Sequence, residues 1–298
     1  MKRFQRLLVI HDPLVDNRSL WQWCRQLNAV SQPERIDVLA PVDWPLPEYS
    51  GADEQEVSPP SADQELSEAI ASEAEGLPIE LHFSRGEGLR EALQLLRGGE
   101  FDLVLTTLQD ERSRIFAERL TRKSPAGVLA VPNGASFPPL SIAAAVDFSD
   151  LSPLTIEWAQ AFSTLSPENQ GRKTVLHFVR VPTTRLSASH GTDVLEPGYL
   201  ESGQRHLTTF MEELPQNDTR WEHTVDSSLF PGGSMASYAN NQDCDLLILG
   251  SHGSNALSLA LLGSNTADVL RRSQKPVLVV KRKNESLAFL LQLLGMRN

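Results

Sequence analysis

One segment of the sequence has residue types and a spacing that could bind a charged ligand. Leu249-Gly250-Ser251-His252-Gly253 is followed, after nine further residues, by Gly263-Ser264-Asn265-Thr266. The segment starts where an apolar, strand-like run ends and finishes where a helical pattern begins, which is where open α/β sheets bind ligands. Its glycines let the backbone approach a ligand closely. The N–H groups at 263–265 would stand at a helix N-terminus, where they favour phosphate oxygens.

The residue types in this segment leave more than one role open. Ser264 Oγ could bind a phosphate oxygen or cap the helix itself. Gly-rich turns between a strand and a helix also occur without a ligand, and the segment is neither a Walker A loop nor the dinucleotide-binding GxGxxG pattern. His252 could serve as a base, but the sequence shows no nucleophile or carboxylate partner for it. A structural role, or one at the edge of a phosphate, is therefore favoured.

The elements that would position this segment occur twice in the chain. Four apolar runs of the first half recur in the same order in the second half, and the spacing between the copies grows along the chain. Because chance rarely aligns four runs in order, an internal duplication is indicated. The paired runs are 7–10 with 142–146, 36–39 with 175–179, 101–105 with 244–249, and 128–131 with 277–280.

The pattern within each copy predicts an α/β fold. The apolar runs are continuous rather than alternating, which indicates strands buried on both faces, and helical patterns lie between them. We expect two tandem open parallel five-stranded sheets with helices on both faces, a Rossmann-like arrangement. The predicted domains are residues 1–135 and 140–283, joined by a short Pro/Gly linker and followed by an apolar helix at 284–298.

Composition excludes several classes of function. The 298 residues suit about two domains, and a net charge of −11 argues against binding nucleic-acid backbone or anionic lipid. There are two cysteines, and no apolar run reaches the ~18 residues of a membrane span. We expect a cytoplasmic protein. Residues 43–75 carry ten acids and no Lys or Arg, which favours a solvated loop that leads into a helix from about residue 62; a partner-binding segment is the alternative.

At the glycine-rich segment the sequence resembles the universal stress protein family. The family pattern is Gly, two residues, Gly, nine residues, Gly, then Ser or Thr, and Gly250, Gly253, Gly263 and Ser264 match it without gaps. The resemblance covers most of residues 140–283. Residues 1–133 resemble a second, degenerate copy, so the chain looks like a tandem member of the family.

The resemblance implies a site for ATP, ADP or AMP in the second copy, with Mg²⁺ accompanying the phosphates. In ATP-binding members an acid after the first strand contacts the adenosine, and here that acid is Asp147. The residue beside the adenine is commonly Val; here it is the larger Phe178, whose backbone could still bind the base. The implied nucleotide-binding residues are Asp147, Phe178, Gly250, His252, Gly253, Gly263, Ser264 and Asn265.

The first copy departs from the family pattern. Asp12 matches Asp147, but both motif glycines are missing after Leu105, and Asp110 and Glu111 would repel phosphate. We therefore predict that the first copy binds no ATP. In this family the fifth strand is an edge used for dimerisation, so the resemblance implies that the two copies pair within the chain as a pseudo-dimer; a homodimer of such chains is a further expectation.

Three functions remain open at this point. The first is a nucleotide-binding stress or signalling protein that changes its contacts with an unknown protein partner. Its hydrolysis should be slow at most, because no Walker B acid, arginine finger or metal pair stands out. The second is a slow phosphohydrolase or nucleotidyl transferase. The third is a ligand-free scaffold, in which Phe178 fills the adenine space.

Overall fold

The computed structural model describes residues 4–41, 60–85, 87–165, 171–180, 197–214, 221–242, 244–252 and 262–282. Contacts within the chain divide it into two units, one of Met1–Phe137 and Lys281–Asn298 and the other of Pro138–Val280. The predicted C-terminal helix lies outside the described residues, as do Gly253 and most of the acidic segment.

The first unit alternates strands and helices from its start. Its strands form a parallel sheet in the order β3-β2-β1-β4-β5. The elements are β1 (Arg6–Ile10), α1 (Arg18–Ser31), β2 (Arg35–Pro41), α2 (Pro60–Glu73), β3 (Ile79–Ser84), α3 (Gly88–Gly98), β4 (Leu103–Thr107), α4 (Glu111–Lys123) and β5 (Gly127–Val131).

The second unit repeats this plan. Its parallel sheet has the order β8-β7-β6-β9-β10, which is the strand order of the first unit. The elements are β6 (Ser141–Ala145), α5 (Ser152–Ser163), β7 (Arg172–Arg180), α6 (Pro197–Glu213), β8 (Glu222–Ser228), α7 (Pro231–Asn241), β9 (Leu246–Gly250), α8 (Ser264–Arg272) and β10 (Val277–Val280). The predicted α/β class, with open parallel sheets, is confirmed.

Hydrogen bonds outside the sheets repeat between the units as well. Asp102 Oδ2 accepts bonds from two N–H groups at the start of β1, and Asp245 Oδ2 accepts two at the start of β6. Ser124 Oγ and Ser273 Oγ each accept the N–H two residues further on, both at 3.1 Å. Side-chain bonds that recur at matching positions support the internal duplication independently of the apolar runs.

Burial explains which strands the apolar runs reveal. The residues of β4, β5, β6 and β10 are all buried, because helices cover both faces of a parallel sheet. The edge strands β3 and β8 are largely half-buried or exposed and carry polar residues.

Cys24 and Cys244 are buried, which raises their thiol pKa values to about 12 and about 11, so both are unreactive core residues. Within the described residues, no helix has the length and apolarity needed to cross a membrane.

Candidate functional site

The carboxyl edge of the second sheet brings the predicted segments together. In the sheet register Ala145 of β6 lies beside Leu249 of β9 on one side and beside Leu176 of β7 on the other. Asp147 lies two residues after the end of β6. Phe178 lies two residues past Leu176 in β7, and Gly250 is the last residue of β9. The chain therefore places the predicted acid, base-side residue and glycine segment on neighbouring strands.

Asp147 is held by the loop that leads into α5. Its Oδ1 accepts hydrogen bonds from the Ser149 N–H at 3.1 Å and the Ser152 hydroxyl at 3.3 Å, and its own N–H donates to Ser152 Oγ at 3.2 Å. Ser152 is the first residue of α5, whose cap position is Leu151, and its hydroxyl bonds to Asp147.

The two ends of the glycine segment are tied to each other. The Gly263 N–H donates to the carbonyl oxygen of Ser251 at 2.8 Å, and Thr266 Oγ1 donates to the carbonyl oxygen of Gly250 at 2.8 Å. These bonds fix the first turn of α8 against the end of β9. His252 is half-buried beside them, and within the described chain no carboxylate or hydroxyl bonds to its imidazole.

The two described motif glycines have different constraints. A Cβ on Gly250 would lie 3.1 Å from Leu151 Cβ and 3.3 Å from the His252 carbonyl oxygen, so the protein itself leaves little room there. A Cβ on Gly263 would have its nearest protein atom at 3.5 Å, and the φ of −61° there suits any residue. Among the described residues, neither a close packing contact nor a positive φ requires glycine at position 263.

The N-terminus of α8 has donors to offer. Ser264 is exposed and Asn265 is half-buried, and no side chain caps this helix. For the N–H groups of Ser264, Asn265 and Thr266, no acceptor is found in the described part of the chain, as the geometry of a first helical turn dictates. These donors and the positive end of the helix dipole suit an anion. Ser264 is thus not the helix cap, and its hydroxyl faces solvent.

A glycine that sequence reasoning missed holds this turn in place. A Cβ on Gly232, at the start of α7, would lie 2.6 Å from the Asn265 carbonyl oxygen, 2.7 Å from its Cα and 2.8 Å from Asp268 Cβ. The two helices therefore meet backbone to backbone at the first turn of α8. The signal in the sequence is Gly232-Gly233 directly after Pro231, an unusual pair for a helix start.

Phe178 borders open space. It is half-buried and lines a cavity of about 570 Å³, together with Asp226 and Ser228 of β8 and with Phe230 and Ser234 at the start of α7. Phe230 is 72% exposed, so a second aromatic ring stands at the rim. Ser228 Oγ and Ser234 Oγ are 2.7 Å apart. Asp268 and Arg272 of α8 also line the cavity, so its wall carries two aromatic residues, hydroxyls and charged groups of both signs.

The equivalent edge of the first unit is occupied by its own side chains. Arg112 Nη2 donates to Asp12 Oδ2 at 2.7 Å, and the Asp12 side chain is 2% exposed. Asp110 caps α4: its Oδ1 accepts the Ser113 N–H at 2.7 Å, and Ser113 Oγ accepts the Asp110 N–H at 3.0 Å, which completes a capping box. A cation already pairs with the acid, and a carboxylate already occupies the helix N-terminus.

A metal-ligand cluster lies elsewhere in the first unit. Asp37, Glu80 and His82 hold ligand atoms within 4.8 Å of one another, the one such group of three in the residues the structure describes. Asp37 is already bound by Arg35 Nη2 at 2.6 Å and by His82 Nε2 at 2.6 Å, which makes the cluster an ion-pair network. No comparable group lies at the described part of the second-unit edge.

Comparisons with known proteins identify the family that the second unit resembles. Residues 141–281 match the sequence profile of the Universal stress protein family. A universal stress protein of Methanocaldococcus jannaschii is 48% identical over 54 residues, and that match spans 18% of this chain and only 33% of the relative.

Two solved structures share the fold over nearly the whole chain. A universal stress protein from Pseudomonas aeruginosa has a TM-score of 0.62 at 17% identity and covers 99% of both chains. A second, from Archaeoglobus fulgidus, has a TM-score of 0.60 at 18% identity and covers 94% of this chain and 97% of that one. At these identities the similarity establishes the fold and leaves the ligand to the residues themselves.

Proposed function

Because its second unit makes this chain a member of the universal stress protein family, we propose that the protein binds ATP or a related adenine nucleotide there. Its role would be that of a stress-response or signalling protein in the cytoplasm whose partner contacts change with the bound nucleotide, with slow hydrolysis at most. The first unit would bind none. Pairing of the two units through β5 and β10, and a homodimer of chains, stay predictions.

The observation that carries this proposal is the first turn of α8. Its three N–H groups have no acceptor in the described part of the chain, and no described residue packs so closely on Gly263 that glycine is required there. Phosphate oxygens would accept these N–H groups. Gly250, Gly253, Ser264 and His252 would line the same turn, although Gly253 itself lies outside the described residues.

The nucleoside would extend from the phosphates across β6 towards β7. Asp147 stands at the adjoining strand end, where a carboxylate can accept bonds from ribose hydroxyls or the adenine amino group. The cavity of about 570 Å³ that Phe178 borders is also lined by Asp268 and Arg272 of α8, but not by Asp147, Gly250 or Gly263. The binding measurements below therefore decide between a bound base and the scaffold alternative, in which Phe178 fills the adenine space.

Mg²⁺ would accompany the phosphates as their counter-ion. Asp147 is a carboxylate just past the end of the adjoining strand β6, but its Oδ1 already accepts two hydrogen bonds from its own loop. The protein's own contribution is therefore to bind and orient the phosphate chain through N–H groups.

Calorimetry with ATP, ADP and AMP in the presence of Mg²⁺ tests the proposal. We expect one site per chain, and we expect Gly263→Val and Asp147→Ala each to abolish measurable binding. Gly263→Val adds bulk where the protein leaves room for a Cβ, so its loss of binding would report on the ligand. Asp12→Asn is the matched control in the first unit and should bind normally. No binding by the wild-type protein, or binding that survives both second-unit variants, would leave the scaffold as the better account.

A further inference from the structure

The residues on either side of Asp147, Val146 and Phe148, both contact the imidazole ring of His177. His177 Nδ1 lies 3.0 Å from the carbonyl oxygen of Val146. The Phe148 ring packs on the imidazole with the ring centroids 4.4 Å apart and the planes tilted by 38°. These contacts fall on the residues immediately before and after Asp147. Where the carboxylate sits relative to β7 therefore depends on His177.

The backbone of Phe148 is in an unusual conformation. Its φ is +60°, in the left-handed region that large side chains rarely adopt. Strain of this kind persists only where neighbouring contacts hold it, and it concentrates at functional sites. The ring of Phe148 also packs against α6, with centroids 5.6 Å from Phe210 and 6.2 Å from His206.

The helix that supports this ring lies close on the sheet. A Cβ on Gly203 of α6 would come 2.7 Å from Val179 Cγ2 and 3.1 Å from Val225 Cγ1, side chains of β7 and β8. Gly203 thus lets α6 pack tightly on the two strands. The Phe148 ring is enclosed between a fixed helix and His177, and it cannot move without disturbing both.

The first unit shows that an aspartate at this point does not need such a conformation. Asp12 is followed by Pro13, whose ring fixes φ near −65°. Asp12 Oδ1 still accepts the N–H of Leu14 at 3.0 Å, just as Asp147 Oδ1 accepts that of Ser149. The left-handed residue is therefore a feature of the second unit, where the proposed ligand binds.

We propose that Phe148 and His177 form a clamp that positions Asp147 for the nucleoside part of the ligand; this rests on the proposed function. Neither residue need touch the nucleotide, so both are positioning residues. Because the phosphates would bind separately at α8, the clamp should govern recognition of the nucleoside and leave binding of a bare phosphate chain unchanged. A residue with a merely structural role would affect both alike.

A matched pair of variants separates backbone conformation from loss of the ring. Phe148→Asn and Phe148→Val both remove the aromatic ring, but Asn adopts positive φ readily and the β-branched Val does not. We expect Phe148→Val to bind ATP about tenfold more weakly than Phe148→Asn, since a left-handed backbone disfavours Val by about a factor of ten. Inorganic tripolyphosphate should bind all three proteins equally. If the Val protein does not fold, Phe148→Ala replaces it.

Amide hydrogen exchange of the unliganded protein gives a readout that needs no nucleotide. The Ser149 N–H bonds to Asp147 Oδ1, so it reports whether the carboxylate is in place. We expect this amide to exchange faster in Phe148→Val than in Phe148→Asn. Equal exchange in the two variants would overturn the clamp, and so would an equal loss of ATP and tripolyphosphate affinity. If the wild-type protein binds no nucleotide but the two variants still differ in amide exchange, the proposed function is refuted and the positioning of Asp147 is supported.

Discussion

The two units place an aspartate at the same point of the same fold and surround it in opposite ways. Asp12 and Asp147 each follow the first strand by two residues, and each N–H bonds a side chain five residues later, Asn17 or Ser152. Asp12 is buried and paired with Arg112, whereas Asp147 is half-buried at the edge of its sheet. The charge of Asp12 is thus paired inside the chain, and the two loops have diverged while the strands have not.

The helix that starts beside each aspartate differs in the same sense. In the first unit Asp110 caps α4, so the anion at this helix N-terminus is part of the protein. In the second unit no side chain caps α8. In the first unit the protein itself therefore supplies a cation for Asp12, from Arg112, and an anion for the N-terminus of α4, from Asp110. The comparison therefore predicts that these side chains stabilise the first unit, and that the N-terminus of α8 in the second unit is available to a ligand.

Breaking the ion pair of the first unit should have the largest effect. Arg112→Ala leaves the buried Asp12 carboxylate without its cation, and removing one partner of a buried pair costs about 3 kcal/mol of unfolding free energy. Chemical denaturation followed by circular dichroism measures it. Asp147→Asn is the second-unit counterpart and should change stability by less than about 1 kcal/mol. Equal losses of unfolding free energy in the two variants would contradict the prediction, because Asp147 would then stabilise its unit as much as the ion pair of Asp12 does.

Most of the fold could be predicted from the sequence, because buried parallel strands are continuous apolar runs. The four paired runs correspond to β1 with β6, β2 with β7, β4 with β9, and β5 with β10. No run marked the third pair, β3 and β8, because an edge strand exposes part of its surface and takes residues such as Glu80 and Asp226. Strand order and the repeat of side-chain bonds needed the structure.

The candidate site could be predicted only where residue identity carries the chemistry. Gly263 and Asp147 stand out because their types suit phosphate and ribose. Arg112 did not, since an arginine in a charged helix looks like an exposed residue until the fold brings it to Asp12, a hundred positions away. Gly232 and the left-handed Phe148 were also missed, because close approach of two helices and the sign of φ are tertiary properties.

Acid should weaken the first unit through a histidine that the second unit lacks. His11 and Val146 hold equivalent positions, each donating its N–H to the second strand. Burial lowers the pKa of His11 to about 4, from 6.5. Between these values the unfolded chain binds a proton that the folded chain does not, so unfolding free energy falls as the pH drops, by about 2 kcal/mol from pH 7 to pH 5.

The variant His11→Val, which installs the second-unit residue, tests this effect. The substitution removes the imidazole that takes up a proton in the unfolded chain. The unfolding free energy of the variant should therefore fall by about 2 kcal/mol less than that of the wild type from pH 7 to pH 5. Denaturant titrations at pH 7, 6 and 5 give the comparison. His177, whose pKa burial also lowers, is present in both proteins and cancels. Parallel pH profiles would show that His11 is protonated in the folded state as readily as in the unfolded state.

A methyl group on Gly232 should disturb the second-unit edge. Gly232→Ala would press a Cβ against backbone atoms of Asn265, and overpacking of this kind costs about 1.5 kcal/mol. Because the displaced atoms belong to the first turn of α8, nucleotide affinity should fall as well. Gly233→Ala is the matched control: its nearest atom is 4.0 Å away, so it should gain stability from the better helix propensity of Ala. Thermal unfolding and ATP titration of both variants measure the difference.

The smallest expected effect concerns the two helix N-termini. Asp110→Ala removes the side chain that accepts the Ser113 N–H, and loss of such a cap costs about 1 kcal/mol. Ser264→Ala removes no capping bond, so the stability of the unliganded protein should stay within about 0.5 kcal/mol of wild type. Added ATP should then stabilise the wild type more than Ser264→Ala, if the hydroxyl binds phosphate. A stability loss in Ser264→Ala without ligand would mean that α8 is capped by its own serine, and the contrast between a filled and an open helix end would not hold.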